Sequence, residues 1–127
     1  NRFVANFIGS PAMNFFEVAT RDGAAWLDGQ RLPLSPEVFA RIGTRDRVTL
    51  GIRPEHMDGG DSPAPLTLRC DTLEPLGAHT LVLGHVGGEK VVAQVEPRFP
   101  AEPGQGCTVQ VDMSKAHFFD IESEQRL

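Results

Sequence analysis

Arg53, Glu55 and His56 place a fixed cation, an anion and an imidazole within four residues. Such a set can grip an oxyanion, meet a partner chain, or close on itself as a polar corner. The local sequence leaves these three open. The planar guanidinium of Arg53 suits a carboxylate or a phosphate. Its options are Glu55, a distant acid such as Asp71 or Glu74, or an anionic ligand. Glu55 and His56 make a poor acid–base pair, because neighbours on an extended chain project to opposite sides. His79 lies in a second corner, Leu73–Thr80, where Gly77 lets the backbone turn sharply. That corner either bends a barrel or offers exposed backbone donors to an oxyanion or a partner.

Other catalytic machinery is missing. Gly87-Gly88-Glu89-Lys90 lacks the first glycine and the final Ser/Thr of a phosphate loop, and fits a hairpin better. There is no G-x-S-x-G elbow and no H-E-x-x-H. His56, His79, His85 and His117 are far apart in sequence, so a metal site would require distant segments to converge. A standalone enzyme is therefore the weakest reading.

The elements that must hold these residues are short. Val48, Leu50 and Ile52 alternate with Thr49, Gly51 and Arg53, which predicts a strand with one apolar and one wet face. Pro54 cannot donate to a ladder and biases Arg53 away from helix, so the strand ends at a fixed place. Before it come strands over Asn14–Thr20, Ala24–Leu27 and Arg31–Leu34, joined by turns at Arg21-Asp22-Gly23 and Asp28-Gly29. Ser35 caps a short helix with Pro36 at its first position and Val38, Phe39 and Ile42 on one face. Asp58–Pro65 reads as an exposed, mobile loop. After it the pattern is strongly β: Leu66–Leu76, bent near Glu74-Pro75, then Thr80–Val86 and Lys90–Val95 about a Gly87-Gly88 turn. A turn at Glu102-Pro103-Gly104 leads to Cys107–Met113, a short helical turn over Ser114–Ala116 and a final edge strand, Phe118–Asp120. Asn1–Gly9 has the apolar stripe of a short helix that needs a surface to dock on. The whole is mainly β, a small barrel with short flanking helices.

At 127 residues the chain suits one domain. Its net charge of −5, with no cluster of Lys and Arg, argues against a nucleic-acid partner. Cys70 and Cys107 fall on apolar strand faces and read as buried free thiols, on strands whose facing would also permit a disulfide. No signal peptide and no apolar run near the ~20 residues of a membrane span is present, so a cytoplasmic setting is expected. The chain begins at Asn1 rather than Met, which suggests a fragment.

Four separated stretches carry a resemblance. Phe7-Ile8-Gly9-Ser10-Pro11-Ala12-Met13-Asn14-Phe15 resembles the junction after the nucleotide-binding domain in ABC importer ATPases of the maltose and glycerol-3-phosphate type. Val48–His56 and Asp71–Ala78 resemble two signatures of their C-terminal regulatory domain. His117-Phe118-Phe119-Asp120 with Gln125-Arg126-Leu127 resembles their chain end. The resemblance implies an OB-type β-barrel, the TOBE-like regulatory domain, over residues 11–127, with residues 1–10 as the tail of a linker helix. It implies a second copy of the subunit and transmembrane permease subunits as partners, and a regulatory protein or small effector. ATP and Mg would bind the preceding domain, with no cofactor here, at the cytoplasmic face of the membrane. Arg53, Glu55, His56 and His79 are the expected dimer or effector surface. The runner-up is a small-ligand sensor for an oxyanion or a phosphorylated metabolite.

Overall fold

The computed structural model describes residues 12–127. The helix expected over Asn1–Gly9 lies outside them. Among the described residues nine strands form two antiparallel sheets. The first contains β1 (Asn14–Arg21), β2 (Ala24–Leu27), β3 (Gln30–Pro33), β4 (Arg47–Ile52) and β9 (His117–Phe119), in the order β3-β2-β1-β4-β9. The second contains β5 (Pro63–Pro75), β6 (Thr80–Val86), β7 (Glu89–Val95) and β8 (Gly106–Asp112), in the order β7-β6-β5-β8. The helix α1 (Pro36–Ile42) joins β3 to β4. The fold is mainly β and OB-like.

The inward faces supply one core. Phe16 and Val18 of β1, Leu50 of β4, Leu66 and Leu68 of β5 and Val91 of β7 are all sealed from solvent. Between the two ladders, side-chain amides stand in for missing strand hydrogen bonds. Asn14 accepts the Val92 N–H at 2.7 Å and donates to the carbonyls of Val92 at 2.9 Å and Ile52 at 3.1 Å. Gln30 accepts the Thr67 N–H at 2.8 Å and donates to its carbonyl at 2.9 Å. Each amide has one donor and one acceptor side, as a peptide unit does, so it can continue a ladder where the backbone has none.

Four local expectations need correction. Beyond Arg47 the outer face of β4 is not wet: Thr49 and Gly51 are buried as well. Phe15 and Phe119 pack edge to face across it, their ring centroids 5.9 Å apart. Gly51 makes room for them, since a Cβ there would meet Met13 at 2.8 Å and both rings at 3.1 Å. Phe39 of α1 is 41% exposed. The helix is short, and Ile42 with Val38, one turn earlier, is enough to dock it. Ser35 caps it as expected, accepting the Val38 N–H at 3.2 Å.

The remaining two corrections concern the segment before β5. That strand already begins at Pro63, inside the expected loop. Over residues 63–68 it pairs with β8 alone. Thr67 turns its N–H and carbonyl away from β8 toward Gln30. Pro65 and Pro63 share that direction by strand parity, so their missing donors fall on the unpaired side, where a strand tolerates proline. The residues before them are pinned to β8. Gly59 donates to the Gln110 carbonyl at 2.9 Å. The Asp112 carboxylate accepts the N–H of Ser62 at 3.2 Å and of Ser114 at 3.1 Å, and the Ser114 hydroxyl at 2.6 Å. These bonds, the Ser114 hydroxyl first, hold the Asp112 carboxyl below its usual pKa although burial acts the other way.

Cys70 and Cys107 are both buried free thiols, so no disulfide joins β5 to β8. Burial raises the pKa of each.

Candidate functional site

β4 runs out at Ile52, and Arg53 continues extended at φ −76°, ψ 148°. Pro54–His56 then forms a single 3-10 turn, closed by His56 N–H to the Arg53 carbonyl at 2.9 Å. This differs from the extended chain expected there. Proline's fixed φ suits the first position of a helical turn, so the residue that ends the strand also starts the turn. Pro54 and Met57 are buried anchors, which leaves Glu55 exposed and His56 half-buried. Successive residues of such a turn splay about a third of a revolution apart, so Glu55 and His56 do not face each other. Among the described residues Glu55 has no ion pair. Asp71, one of the acids considered for Arg53, pairs with His85 at 3.0 Å instead.

His79 is exposed on the β5–β6 connection, where its carbonyl accepts the Leu76 N–H at 2.8 Å. Gly77 turns that connection at φ 85°. No hydrogen bond or ion pair among the described residues ties His79 to Glu55 or His56. The four expected residues therefore make two corners rather than one cluster.

The structure adds residues that sequence reasoning did not select. β9 lies beside β4 with His117 opposite Gly51. That register brings His117 under the influence of Arg53 and His56. Burial is the main cause that lowers its pKa, followed by the charges of Arg126, Arg53 and His56. Among the described residues the buried ring Nδ1 has no hydrogen-bond partner. His117 and Arg126 also line a cleft of about 430 Å³ against α1, opposite Arg41. The signal for both lay in the chain-end stretch, but only the β4–β9 pairing places that stretch beside Arg53.

The chain end is itself fastened to the body. The Asp120 carboxylate accepts the Ser123 N–H at 2.9 Å and Arg45 Nε at 2.8 Å. Those bonds lower its pKa from 3.8 to about 2. A carboxyl depressed by folding stabilises the fold fully above its unfolded pKa, and that contribution is lost as pH falls through about 2. Urea midpoints measured between about pH 5 and 2 should thus fall less steeply for Asp120→Asn than for the parent chain. Equal slopes would remove Asp120 from the acid response.

Comparison with known proteins gives a consistent set of matches. Residues 9–57 match the MalK OB fold domain, and residues 50–119 match the TOBE domain. The chain is 39% identical over 129 residues to an sn-glycerol-3-phosphate import ATP-binding protein, UgpC, of Chromobacterium violaceum, covering 98% of this chain and 34% of the relative. It is 36% identical over 132 residues to the sulfoquinovosyl glycerol transport ATP-binding protein SmoE of Agrobacterium fabrum, covering 98% and 36%. UgpC of Yersinia enterocolitica is 40% identical over 135 residues, with the same coverage of 98% and 36%. The chain thus spans about a third of the length of the curated relatives it matches.

Proposed function

The chain belongs to the TOBE domain family, and from that premise we propose that it is the regulatory and dimerisation domain of the ATP-binding subunit of an ABC importer for a sugar or glycerol 3-phosphate. The observation that supports this most is the match over 98% of the chain to import and transport ATP-binding proteins. The chain corresponds to about a third of such a subunit. ATP and Mg would then bind the preceding domain. This sequence carries no phosphate loop of its own. The intact subunit would sit at the cytoplasmic face of a membrane against permease subunits. Among the described residues no helix is long and apolar enough to cross one.

In this role the domain holds two ATPase domains in register while they open and close. An effector that prefers one arrangement shifts the equilibrium by its differential affinity for the two. Arg53, Glu55 and His56 at one corner and His79 at the other are the proposed recognition residues for the second copy or a regulatory protein. Glu55 and His79 are exposed, so either can meet another chain without rearrangement. Sedimentation velocity of this chain should show concentration-dependent self-association, weakened at least several-fold by Glu55→Lys or His79→Glu. A chain that stays monomeric up to about 1 mM would refute self-association driven by this domain alone. The second reading, a small-ligand sensor, is favoured by the cleft at His117.

A further inference from the structure

Positive charge collects in the cleft between α1 and β9, on a chain whose net charge is −5. Arg41 and Arg126 line it beside His117, whose burial disfavours its charged form, and no carboxylate does. Among the described residues neither Arg41 nor Arg126 has an ion-pair partner, whereas Arg21, Arg45 and Arg47 each have one. Two nearby acids are already committed. Asp112 is occupied by the backbone of Asp61, Ser62 and Ser114. Asp120 is held by Arg45 at 2.8 Å.

Hydroxyl donors are also available there. Ser35 Oγ accepts the Val38 N–H, which leaves its own proton to donate. The Ser62 hydroxyl, also in the lining, has no partner among the described residues. The remaining wall is apolar, from Leu34, Val38 and Met113. At about 430 Å³ the cleft has far more room than a lone tetrahedral oxyanion needs.

We propose that this cleft binds a small organic phosphomonoester. Arg41 and Arg126 take its phosphoryl oxygens, as guanidinium forks do, and its organic part lies against Leu34, Val38 and Met113. A bound dianion also offsets the charges of Arg126, Arg53 and His56 that face His117. The proposal rests on the regulatory reading only for its biological use. Ligand binding and self-association are read separately, so either can fail alone.

The test is calorimetric titration of this chain with glycerol 2-phosphate, inorganic phosphate and glycerol. Glycerol 2-phosphate should bind, glycerol should not, and Arg41→Gln with Arg126→Gln should weaken binding at least tenfold. Both side chains are exposed, so these variants should fold, and amide NMR spectra check that they do. In the unmodified chain, ligand-induced amide shifts should centre on residues 35, 62, 117 and 126. No heat and no shifts at about 10 mM ester would overturn the proposal, that concentration being above any affinity of use. Undiminished binding by the double variant, or shifts elsewhere, would also overturn it. Inorganic phosphate binding as tightly as the ester would overturn the ester assignment.

Discussion

Gly84→Ala is expected to cost about 3 kcal/mol or more, the upper end for forcing extra volume into a packed interior. Gly84 sits opposite Cys70 in the β5–β6 ladder, where the register shifts between Cys70 and Thr72. A Cβ there would fall on the backbone carbonyl of Arg69, and it would lie 2.9 Å from Leu68 Cδ1. A side chain can rotate away, but a carbonyl fixed in a ladder cannot. The alanine must therefore pry β6 from β5 at the point where β5 leaves the core. Urea denaturation measures the loss. Gly88→Ala is the control, because a Cβ at that position meets nothing within 4 Å. A Gly84 variant within about 0.5 kcal/mol of the parent, the range of ordinary surface changes, would show that the bulge absorbs the methyl.

Asn14→Ala should be nearly as damaging, at about 2–4 kcal/mol, because it strands three buried or partly buried backbone groups together. The Val92 N–H and carbonyl and the Ile52 carbonyl all lose their partner. Asn14→Asp separates the contributions. It keeps an acceptor for Val92 N–H but sets a carboxylate against two carbonyls, so it should be no better than alanine. Hydrogen exchange gives a local reading: protection of the Val92 amide should collapse in both variants. Full stability with a protected Val92 amide would mean that the seam closes without the side chain.

Much of this architecture was legible in the sequence because it is set by local chemistry. The Gly87-Gly88 hairpin, the Ser35 cap and the burial of Cys70 beside Leu66 and Leu68 each follow from neighbours in the chain. What escaped depends on distant partners. Thr49 and Gly51 look like a solvent face until Phe15 and Phe119 arrive from the flanking strands. Asp58–Ser62 has the composition of a mobile loop, yet Asp112 and Gln110 of β8 hold it. The candidate site, still a proposal, behaves in the same way. Arg53 and His56 could be selected from their residue types, and the end of β4 from Pro54. Their neighbour His117 could not, since only sheet pairing brings it within reach. Arg41 gave no signal at all, because an exposed arginine on a short helix looks like any other until a cleft forms opposite it.

The two thiols on the inner face of β5 and β8 give the domain a built-in clock. Alkylation proceeds through the thiolate, and burial both shields Cys70 and Cys107 and disfavours that form. Their reaction is expected to follow openings that expose this face. Their labelling rates, compared with that of a free thiol, therefore count openings at two points of one seam. Cys70 lies at the register shift and Cys107 near the start of β8. Whether these two positions open together or in sequence tells whether the seam opens as one unit or frays from one end, and a stoppered reaction reads that without adding a probe or altering a residue.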